Sequence, residues 1–315
     1  MHSYQMTESG VWSCRPDAKE NEYFCQSISH KNLESEQLQK VDFAILGFAS
    51  DLGVQRNHGR VGAKLSPIKI RQFLSRMTVP FALSGYDCGD VLVDNKQSLL
   101  AAQTQFAGKI TQLVEHGITP LVLGGGHETA YGHFMGLMNS SKADDIAILN
   151  FDAHFDLRPV AADNEGTSGT PFRQIYNDCT AQGRAFNYYC VGIQPRANIR
   201  ELYEFAEKSG TKYLEAATVM ANPECVSQLI SEILAKHKQV YVTICLDVFH
   251  YSYAPGVSAP QALGITPQIV MSALQQLRQS GKVLSLDVVE LNPEFDIDNH
   301  TARLAAVLLT EFLYF

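Results

Sequence analysis

Residues 152–156 place two carboxylates and one imidazole at every second position, as Asp152, His154 and Asp156. Alternate residues of an extended chain point to the same side, so these three side chains would project together, with Phe151 and Phe155 packed behind them. Carboxylates that have lost water and crowd one point are costly unless a cation lies among them. A solvated polar face is the alternative, and the apolar flanking residues disfavour it. The segment therefore predicts a metal site.

A glycine-rich turn introduces a second candidate ligand, His127. Gly124–Gly126 let the backbone turn tightly and approach a neighbouring segment closely, and His127 and Glu128 follow. Such a turn also suits a phosphate cradle, or a structural turn with a capping histidine. Phosphate-binding loops usually carry a lysine after the glycines, whereas a histidine and a glutamate stand here. This segment alone leaves a metal ligand and a structural turn as alternatives.

Further acidic residues follow two apolar runs. Asp247 ends the first run, which is an expensive place for an unpaired carboxylate, so it is another candidate ligand or a cap for the following loop. Cys245 shares its face, where a buried inert cysteine is the commonest role. Glu290 ends the second run and would be a metal ligand, a partner for a cationic substrate, or a helix cap.

These residues combine imidazole with carboxylate oxygens, a ligand set that suits Mn²⁺ and leaves Zn²⁺ or Fe²⁺ as alternatives. Asp152 could bridge two ions roughly 3.5–4 Å apart, as in other two-metal sites. A bound metal would lower the pKa of a water, so that hydroxide exists near neutral pH and attacks an electrophilic carbon. The sequence contains neither GxSxG nor HExxH. We therefore expect a metal-dependent hydrolase.

The elements that must position these residues alternate between apolar strand-like runs and segments of helical spacing. This alternation predicts an α/β fold, a three-layer α-β-α sandwich around a mostly parallel sheet of roughly eight strands. In such a sheet the carboxyl ends of the strands line the ligand crevice, which would gather the candidate residues. The predicted strands are Asp42–Phe48, Asp87–Val93, Thr119–Leu123, Ile146–Phe151, Asn187–Ile193, Lys212–Leu214, Val240–Leu246 and Val283–Glu290.

Helix boundaries and domain limits follow from the same pattern. We expect helices to open at Ser66–Pro67 and Thr266–Pro267, each a polar N-cap followed by proline, and one helix to span Ser98–His116. Residues 1–40 are polar and are predicted to form an irregular extension packed on a single domain of residues 41–315.

Composition excludes several classes of protein. The 315 residues are 45% hydrophobic and carry a net charge of −8, without the clustered Lys and Arg that a nucleic-acid or anionic-membrane surface needs. No secretory signal or run of ~18 apolar residues is apparent. The seven cysteines are scattered without a CxxC pair, so we expect no disulfide framework and no zinc knuckle. These features predict a cytoplasmic protein whose partner is a small-molecule substrate.

Four motifs in order, GGGHE, NFDAHFDLR, LDV with APGVSAP, and LDVVELNP, resemble those of the ureohydrolases, the superfamily of arginases and agmatinases. The resemblance extends from about Asp42 to Leu313. It implies an arginase-like fold, two manganese ions and a homo-oligomer such as a trimer or hexamer. The positions that it makes metal ligands are His127, Asp152, His154, Asp156 and Asp247, with Cys245 at a sixth ligand position.

Finer segments resemble the formimidoylglutamase group of that superfamily: RNHGRVGAKLSP, TSGTPF, APGVSAP and FDIDNHTARLAA. This implies hydrolysis of the amidine C–N bond of N-formimidoyl-L-glutamate to L-glutamate and formamide, in histidine degradation. Glu290 would then hold the cationic amidine, and Asp156 would return a proton to the leaving nitrogen. Arg60 and Arg158 are candidates for binding the substrate carboxylates, or alternatively for structural salt bridges.

Cys245 departs from the superfamily pattern, which has Asp-x-Asp here and uses its first aspartate as a bridging ligand. A thiolate is softer and favours Zn²⁺ over Mn²⁺. The alternatives are a two-metal site with an altered bridge, a single-metal site, an impaired enzyme, and a non-catalytic binding or regulatory member. Agmatinase or guanidino-acid hydrolase activity also remains open, whereas the clustered carboxylates disfavour a phosphate-binding protein. We expect a working enzyme with a weakened second metal position.

Overall fold

The computed structural model describes residues 3–94 and 98–314. The strands within them are β1 (Ser3–Gln5), β2 (Ile28–His30), β3 (Phe43–Ala49), β4 (Gly85–Leu92), β5 (Thr119–Gly124), β6 (Ile146–Phe151), β7 (Tyr188–Ile193), β8 (Lys212–Glu215), β9 (Gln239–Cys245) and β10 (Val283–Val289). The helices within them are α1 (Leu52–Arg56), α2 (Ser66–Leu74), α3 (Leu99–Glu115), α4 (Thr129–Met138), α5 (Pro171–Ala181), α6 (Arg200–Ser209), α7 (Ala216–Ala221), α8 (Glu224–Lys236), α9 (Pro267–Gln279) and α10 (His300–Tyr314).

The strands form one sheet in the order β1-β4-β3-β5-β10-β9-β6-β7-β8, with β2 also paired to β4. The β1–β4 pairing is antiparallel and the others are parallel. Hydrophobic cores cover both faces, one formed with α3 to α6 and the other with α2 and α7 to α10. Within β9, Tyr241 faces the first core while Val240 and Val242 face the second. The predicted three-layer α/β fold and its eight strands, here β3 to β10, are confirmed.

All three predicted helix starts are confirmed, and Ser98 provides a side-chain cap. The hydroxyl of Ser98 accepts a hydrogen bond from the Ala101 N–H and caps α3. Thr266 precedes Pro267 at the start of α9. The capping role predicted for Ser66 is wrong, because a short 3-10 turn carries the helical backbone back to Leu65 and makes Ser66 the first residue of α2.

Residues 3–40 contain more regular structure than the irregular extension that the sequence predicted. Their strands β1 and β2 both pair with β4 and extend the edge of the sheet. Cys14 and Cys25 form a disulfide, so the expectation of no disulfide is also wrong. The two cysteines are 11 residues apart and form no CxxC pair, so nothing in the sequence indicated the bond. The fold of this segment brings their Cα atoms to 5.9 Å.

The order of the central strands determines where the candidate residues lie. β5, β10, β9 and β6 are consecutive neighbours and run parallel, so their carboxyl ends meet at one edge of the sheet. The segments that follow them begin at Gly125, Glu290, Leu246 and Asp152. Sequence-distant motifs therefore become spatial neighbours, as the strand–helix alternation predicted. Among the described residues, no helix has the length and hydrophobicity needed to span a bilayer.

One ion-pair network lies in the core beside the edge strands. Arg71 of α2 is fully buried and donates to Asp87 Oδ1 at 2.9 Å and to Asp90 Oδ1 at 2.6 Å, both on β4. Trp12 Nε1 donates to the other oxygen of Asp87, which ties the N-terminal segment to the same network. A buried ion pair of this kind is costly to break, because the remaining charges have neither water nor partner.

Replacing Arg71 by methionine should destabilise the protein by about 3–5 kcal/mol, because the buried carboxylate of Asp87 and the partly buried one of Asp90 lose their cation. Urea unfolding followed by circular dichroism measures the change. Lys212→Met is the control, since Lys212 pairs with Glu232 at the surface with 56% of its side chain exposed. That variant should lose at most about 1 kcal/mol. Equal losses in the two variants would contradict a special role for the buried network.

Candidate metal centre

The candidate ligands form two overlapping groups. Ligand atoms of His127, Asp152 and Cys245 all lie within 4.8 Å of one another, and so do those of Asp152, His154 and Asp247. Asp152 belongs to both groups and is fully buried. The arrangement can therefore hold two cations with one shared carboxylate.

Asp156 and the two histidines complete these groups. His127 Nδ1 lies 2.9 Å from one oxygen of Asp152 and 2.9 Å from one of Asp156. His154 Nδ1 lies 3.2 Å from Asp247 and 3.4 Å from Asp152. Asp156 thus adjoins the first group, and the structure brings together all five ligands that the sequence predicted, with Cys245 beside them.

Unusual backbone conformations aim two of the acidic residues. Asp156 and Glu290 adopt left-handed φ values of 48° and 68°. Non-glycine residues seldom hold this conformation unless their surroundings enforce it, and such residues cluster at functional sites. Contacts with the glycine turn enforce it at Glu290, whose N–H donates to Gly125 O and whose Oε1 accepts from the His127 N–H, both at 2.8 Å.

The glycine turn is shaped by close approach to its neighbours. A side chain on Gly125 would collide with the backbone of Ser50, and one on Gly126 would collide with Glu128. Glu128 is fully buried, and its Oε1 accepts from the Ser50 hydroxyl at 2.9 Å and from the Gly53 N–H at 3.0 Å. The motif therefore packs a carboxylate under the turn, rather than presenting it to the site.

Electrostatics show how strained the cluster is without a cation. Burial raises the pKa of Asp156 to about 6, and the charge of Asp152 adds to the shift. Burial also raises the pKa of Asp247 and, assisted by Glu128, that of Glu290. Burial opposes ionisation of Asp152 too, but contacts with both histidines outweigh it and hold its pKa below the ordinary value. A divalent cation would relieve this repulsion.

Several buried polar atoms of the cluster have no hydrogen-bond partner. Despite its short contacts, His127 Nδ1 makes no well-directed hydrogen bond, and Asp247 Oδ1 and Glu290 Oε2 are likewise unpartnered. Buried polar atoms are normally satisfied, so unpartnered nitrogen and oxygen atoms in one cluster indicate that they bind a cation. The chemistry of these atoms fits Mn²⁺, which accepts imidazole and carboxylate ligands together.

Cys245 is buried beside the shared carboxylate. Burial, followed by the charges of Asp152 and Asp247, raises the pKa of its thiol well above the ordinary value. Without a cation the thiol is therefore neutral. A metal ion in the first group would change this, because a coordinating thiol loses its proton.

A cavity of roughly 330 Å³ opens onto the cluster. Its lining includes candidate ligands of both groups and Glu290, and also Arg60 and Arg158. Arg60 is engaged, because its guanidinium donates to the carbonyls of Val257 and Ser258 and stacks 4.1 Å from the Phe295 ring.

Sequence reasoning missed one residue in contact with the site. The ring nitrogen Nε2 of His127 lies 3.0 Å from the Thr243 hydroxyl, on the side away from the carboxylates. Thr243 stands two residues before Cys245 on β9, so the strand alternation that placed Cys245 on this face also placed Thr243 there.

Comparison with known proteins identifies relatives over the whole chain. A family model described as the arginase family matches residues 41–314. A formimidoylglutamase from Legionella pneumophila (strain Lens) is 40% identical over 315 residues, covering 99% of this chain and 98% of the relative. A formimidoylglutamase from Streptococcus pyogenes serotype M5 (strain Manfredo) is 43% identical over 274 residues, covering 85% of this chain and 82% of the relative.

A solved structure shares the fold. A variant of the Trypanosoma cruzi formiminoglutamase, crystallised with Mn²⁺₂, superposes with a TM-score of 0.80 at 25% identity. The match covers 89% of this chain and 94% of that one. The arginase-like fold expected from the sequence is thereby confirmed.

Removing divalent cations with a chelator should lower the thermal unfolding midpoint by several degrees, and Mn²⁺ should restore it, because an ion that binds only the folded state stabilises it. Differential scanning calorimetry measures the shift. Asp152→Asn should abolish most of the Mn²⁺-dependent increase in the unfolding midpoint, since it alters the carboxylate that the two ligand groups share. Asp163→Asn is the control, because that exposed residue pairs with Arg56 outside the cluster. An Mn²⁺ response that survives Asp152→Asn would exclude this site.

Proposed function

The chain belongs to the arginase family, and from that premise we propose that it hydrolyses the amidine C–N bond of N-formimidoyl-L-glutamate, giving L-glutamate and formamide. One observation carries the proposal: the same cavity is lined by acidic candidate ligands and Glu290 and by the cationic residue Arg158. The proposed substrate has the matching polarity, with a cationic amidine at one end and two carboxylates at the other.

Two Mn²⁺ ions would be held by the overlapping ligand groups. His127, Asp152, Asp156 and Cys245 would hold the first, and Asp152, His154 and Asp247 the second. The Mn²⁺₂ named for the related T. cruzi structure supports this number and this metal. When bound, such a pair supplies hydroxide near neutral pH by lowering the pKa of water.

Glu290 would bind the amidinium. Its Oε2 is buried without a partner and its side chain lines the cavity, while Oε1 is held by the His127 N–H. A charge-assisted hydrogen bond to the amidinium nitrogen holds the positive charge and leaves the carbon open to attack. The same hydrogen bond would orient the amidine carbon toward the candidate metal ligands that line the cavity.

Asp156 would move the proton. Attack of hydroxide gives a tetrahedral carbon that bears two nitrogens, and collapse to formamide expels the amino group of glutamate. That nitrogen needs a proton to leave. Asp156 lies at the cluster, with one carboxylate oxygen 2.9 Å from His127 Nδ1, and lines the cavity, so its carboxylate would accept a proton from the attacking water and return it to the nitrogen.

Arg158 is the better placed of the two arginines for the substrate carboxylates. It lines the cavity two residues after Asp156, and its backbone N–H is anchored on Gly169 O. Arg60 would instead act indirectly, since its guanidinium already holds the Val257–Ser258 loop. Agmatine has no carboxylate for Arg158 to bind, so this residue favours formimidoylglutamate over agmatine as substrate.

A non-catalytic binding or regulatory protein is the second candidate function, and Cys245 is the observation that favours it. The Cys245 thiol is a softer ligand than the bridging carboxylate that the superfamily pattern has at this position. The remaining ligands are all in place, which favours the enzyme. A cytoplasmic location, the lack of a nucleic-acid partner and a homo-oligomeric assembly stay predictions.

The first test is a substrate panel with Mn²⁺-loaded protein. We expect release of formamide and glutamate from N-formimidoyl-L-glutamate, and little turnover of agmatine or guanidinobutyrate. Arg158→Gln should raise KM about tenfold or more with a smaller effect on kcat, because a hydrogen bond to a charged group contributes roughly 1.5–3 kcal/mol. The control is Arg200→Gln, at the exposed start of α6. Turnover of agmatine without turnover of N-formimidoyl-L-glutamate would instead indicate that the protein is an agmatinase.

The second test measures Mn²⁺ per chain in the wild type, Cys245→Asp and Cys245→Ala. We expect Cys245→Asp to bind two ions and stay active, and Cys245→Ala to lose one ion, because alanine offers no ligand. The control is Cys88→Ala, a buried thiol of β4 away from the cluster. Activity that appears only in Cys245→Asp would favour the non-catalytic protein.

A further inference from the structure

A continuous chain of polar side chains runs through the core from His127 to helix α4. The Thr243 hydroxyl lies 3.0 Å from His127 Nε2, and Thr243 shares its face of β9 with Tyr241, two residues earlier, whose hydroxyl it neighbours. Tyr241 donates in turn to Asp287 Oδ2, and the same oxygen lies 2.7 Å from His133 Nδ1. The four residues beyond His127 are fully buried.

The far end of the chain is anchored on two strands. His133 Nε2 lies 2.6 Å from the Ser285 hydroxyl of β10, which donates to the Pro120 carbonyl of β5 at 2.8 Å. Ser285, His133 and Asp287 have the order of a hydrolytic triad, but all three are fully buried, so no substrate reaches the serine. A different role must account for so costly a set of buried polar groups.

The hydrogens available on the side chains determine which group donates in each of these hydrogen bonds. Tyr241 gives its single hydroxyl hydrogen to Asp287, so it accepts from Thr243. Thr243 has then used its own hydrogen and must accept from His127 Nε2. In the neutral ring that a metal ligand requires, the hydrogen of His127 therefore lies on Nε2, and Nδ1, on the side of Asp152 and Asp156, is the nitrogen left for a cation.

The chain also joins the elements that carry the site. His133 lies on α4, which begins two residues after His127, and Asp287 stands three residues before Glu290 on β10. Thr243 and Tyr241 lie on β9, which ends at Cys245. These buried side chains thus connect α4, β9 and β10 directly below the candidate ligands.

We propose that Thr243, Tyr241, Asp287 and His133 are positioning residues that fix the tautomer and ring orientation of His127, so that Nδ1 is presented to the metal. The proposal rests on the metal site proposed above. Hydrogen-bond partners behind a ligating histidine commonly set its orientation and basicity, and their loss typically lowers metal affinity 10–100-fold. Here the Asp287 carboxylate would act on His127 through the hydroxyls of Tyr241 and Thr243.

The test compares Tyr241→Phe, Thr243→Val and the double variant for Mn²⁺ affinity, measured by equilibrium dialysis with electron paramagnetic resonance of free Mn²⁺. Tyr241 does not contact His127, so a role through the chain predicts about a tenfold loss of affinity in Tyr241→Phe. Once Thr243 is replaced, the chain no longer reaches His127. The double variant should therefore bind Mn²⁺ no more weakly than Thr243→Val alone.

Tyr189→Phe is the matched control, because it also removes a buried tyrosine hydroxyl bonded to a histidine, His237, away from the site. Unfolding of the chelated proteins measures the purely structural cost, which we expect to be similar in Tyr241→Phe and Tyr189→Phe. Unchanged Mn²⁺ affinity in Tyr241→Phe, or losses that simply add in the double variant, would overturn the proposal. Failure of the wild type to bind Mn²⁺ would instead refute the metal site itself.

Discussion

Negative charge buried at the carboxyl ends of three neighbouring strands, β10, β9 and β6, is the constraint on which the site depends. Asp152, Asp247 and Glu290 are almost inaccessible to water, and burial raises the pKa of the last two. Without a cation such a cluster must take up protons or strain the fold, and with one the same geometry becomes favourable. The parallel sheet creates this concentration, because β5, β10, β9 and β6 are adjacent and end at the same edge.

Much of this arrangement could be predicted, because it depends on local patterns. The eight core strands are apolar runs that the sequence displays directly, and their alternation with helices dictates a parallel sheet. The candidate ligands then follow from their positions in the sequence. Asp152, His154 and Asp156 occupy every second position directly after one apolar run, and Asp247 ends another. Cys245 was placed by the same two-residue period.

The features that could not be predicted depend on contacts between distant segments. Nothing near Arg60 in the sequence shows that its guanidinium is occupied by the carbonyls of Val257 and Ser258. The Cys14–Cys25 disulfide likewise needs the fold of the N-terminal segment to bring its ends together. Thr243 was overlooked because a threonine in an apolar strand gives no chemical signal until its partner is known.

The same charge constraint offers a physical account of Cys245. Its side chain faces Asp152, Asp247 and Glu290, and their charges add to burial in keeping the thiol neutral. An aspartate in its place would bring a further negative charge into the metal-free cluster, whereas a neutral thiol does not. Binding of a cation would then remove the thiol proton, so that the thiolate charge would form only where the cation compensates it. A thiolate ligand would weaken the preference for Mn²⁺, and the metal-free protein would fold with less repulsion at this site than with an aspartate.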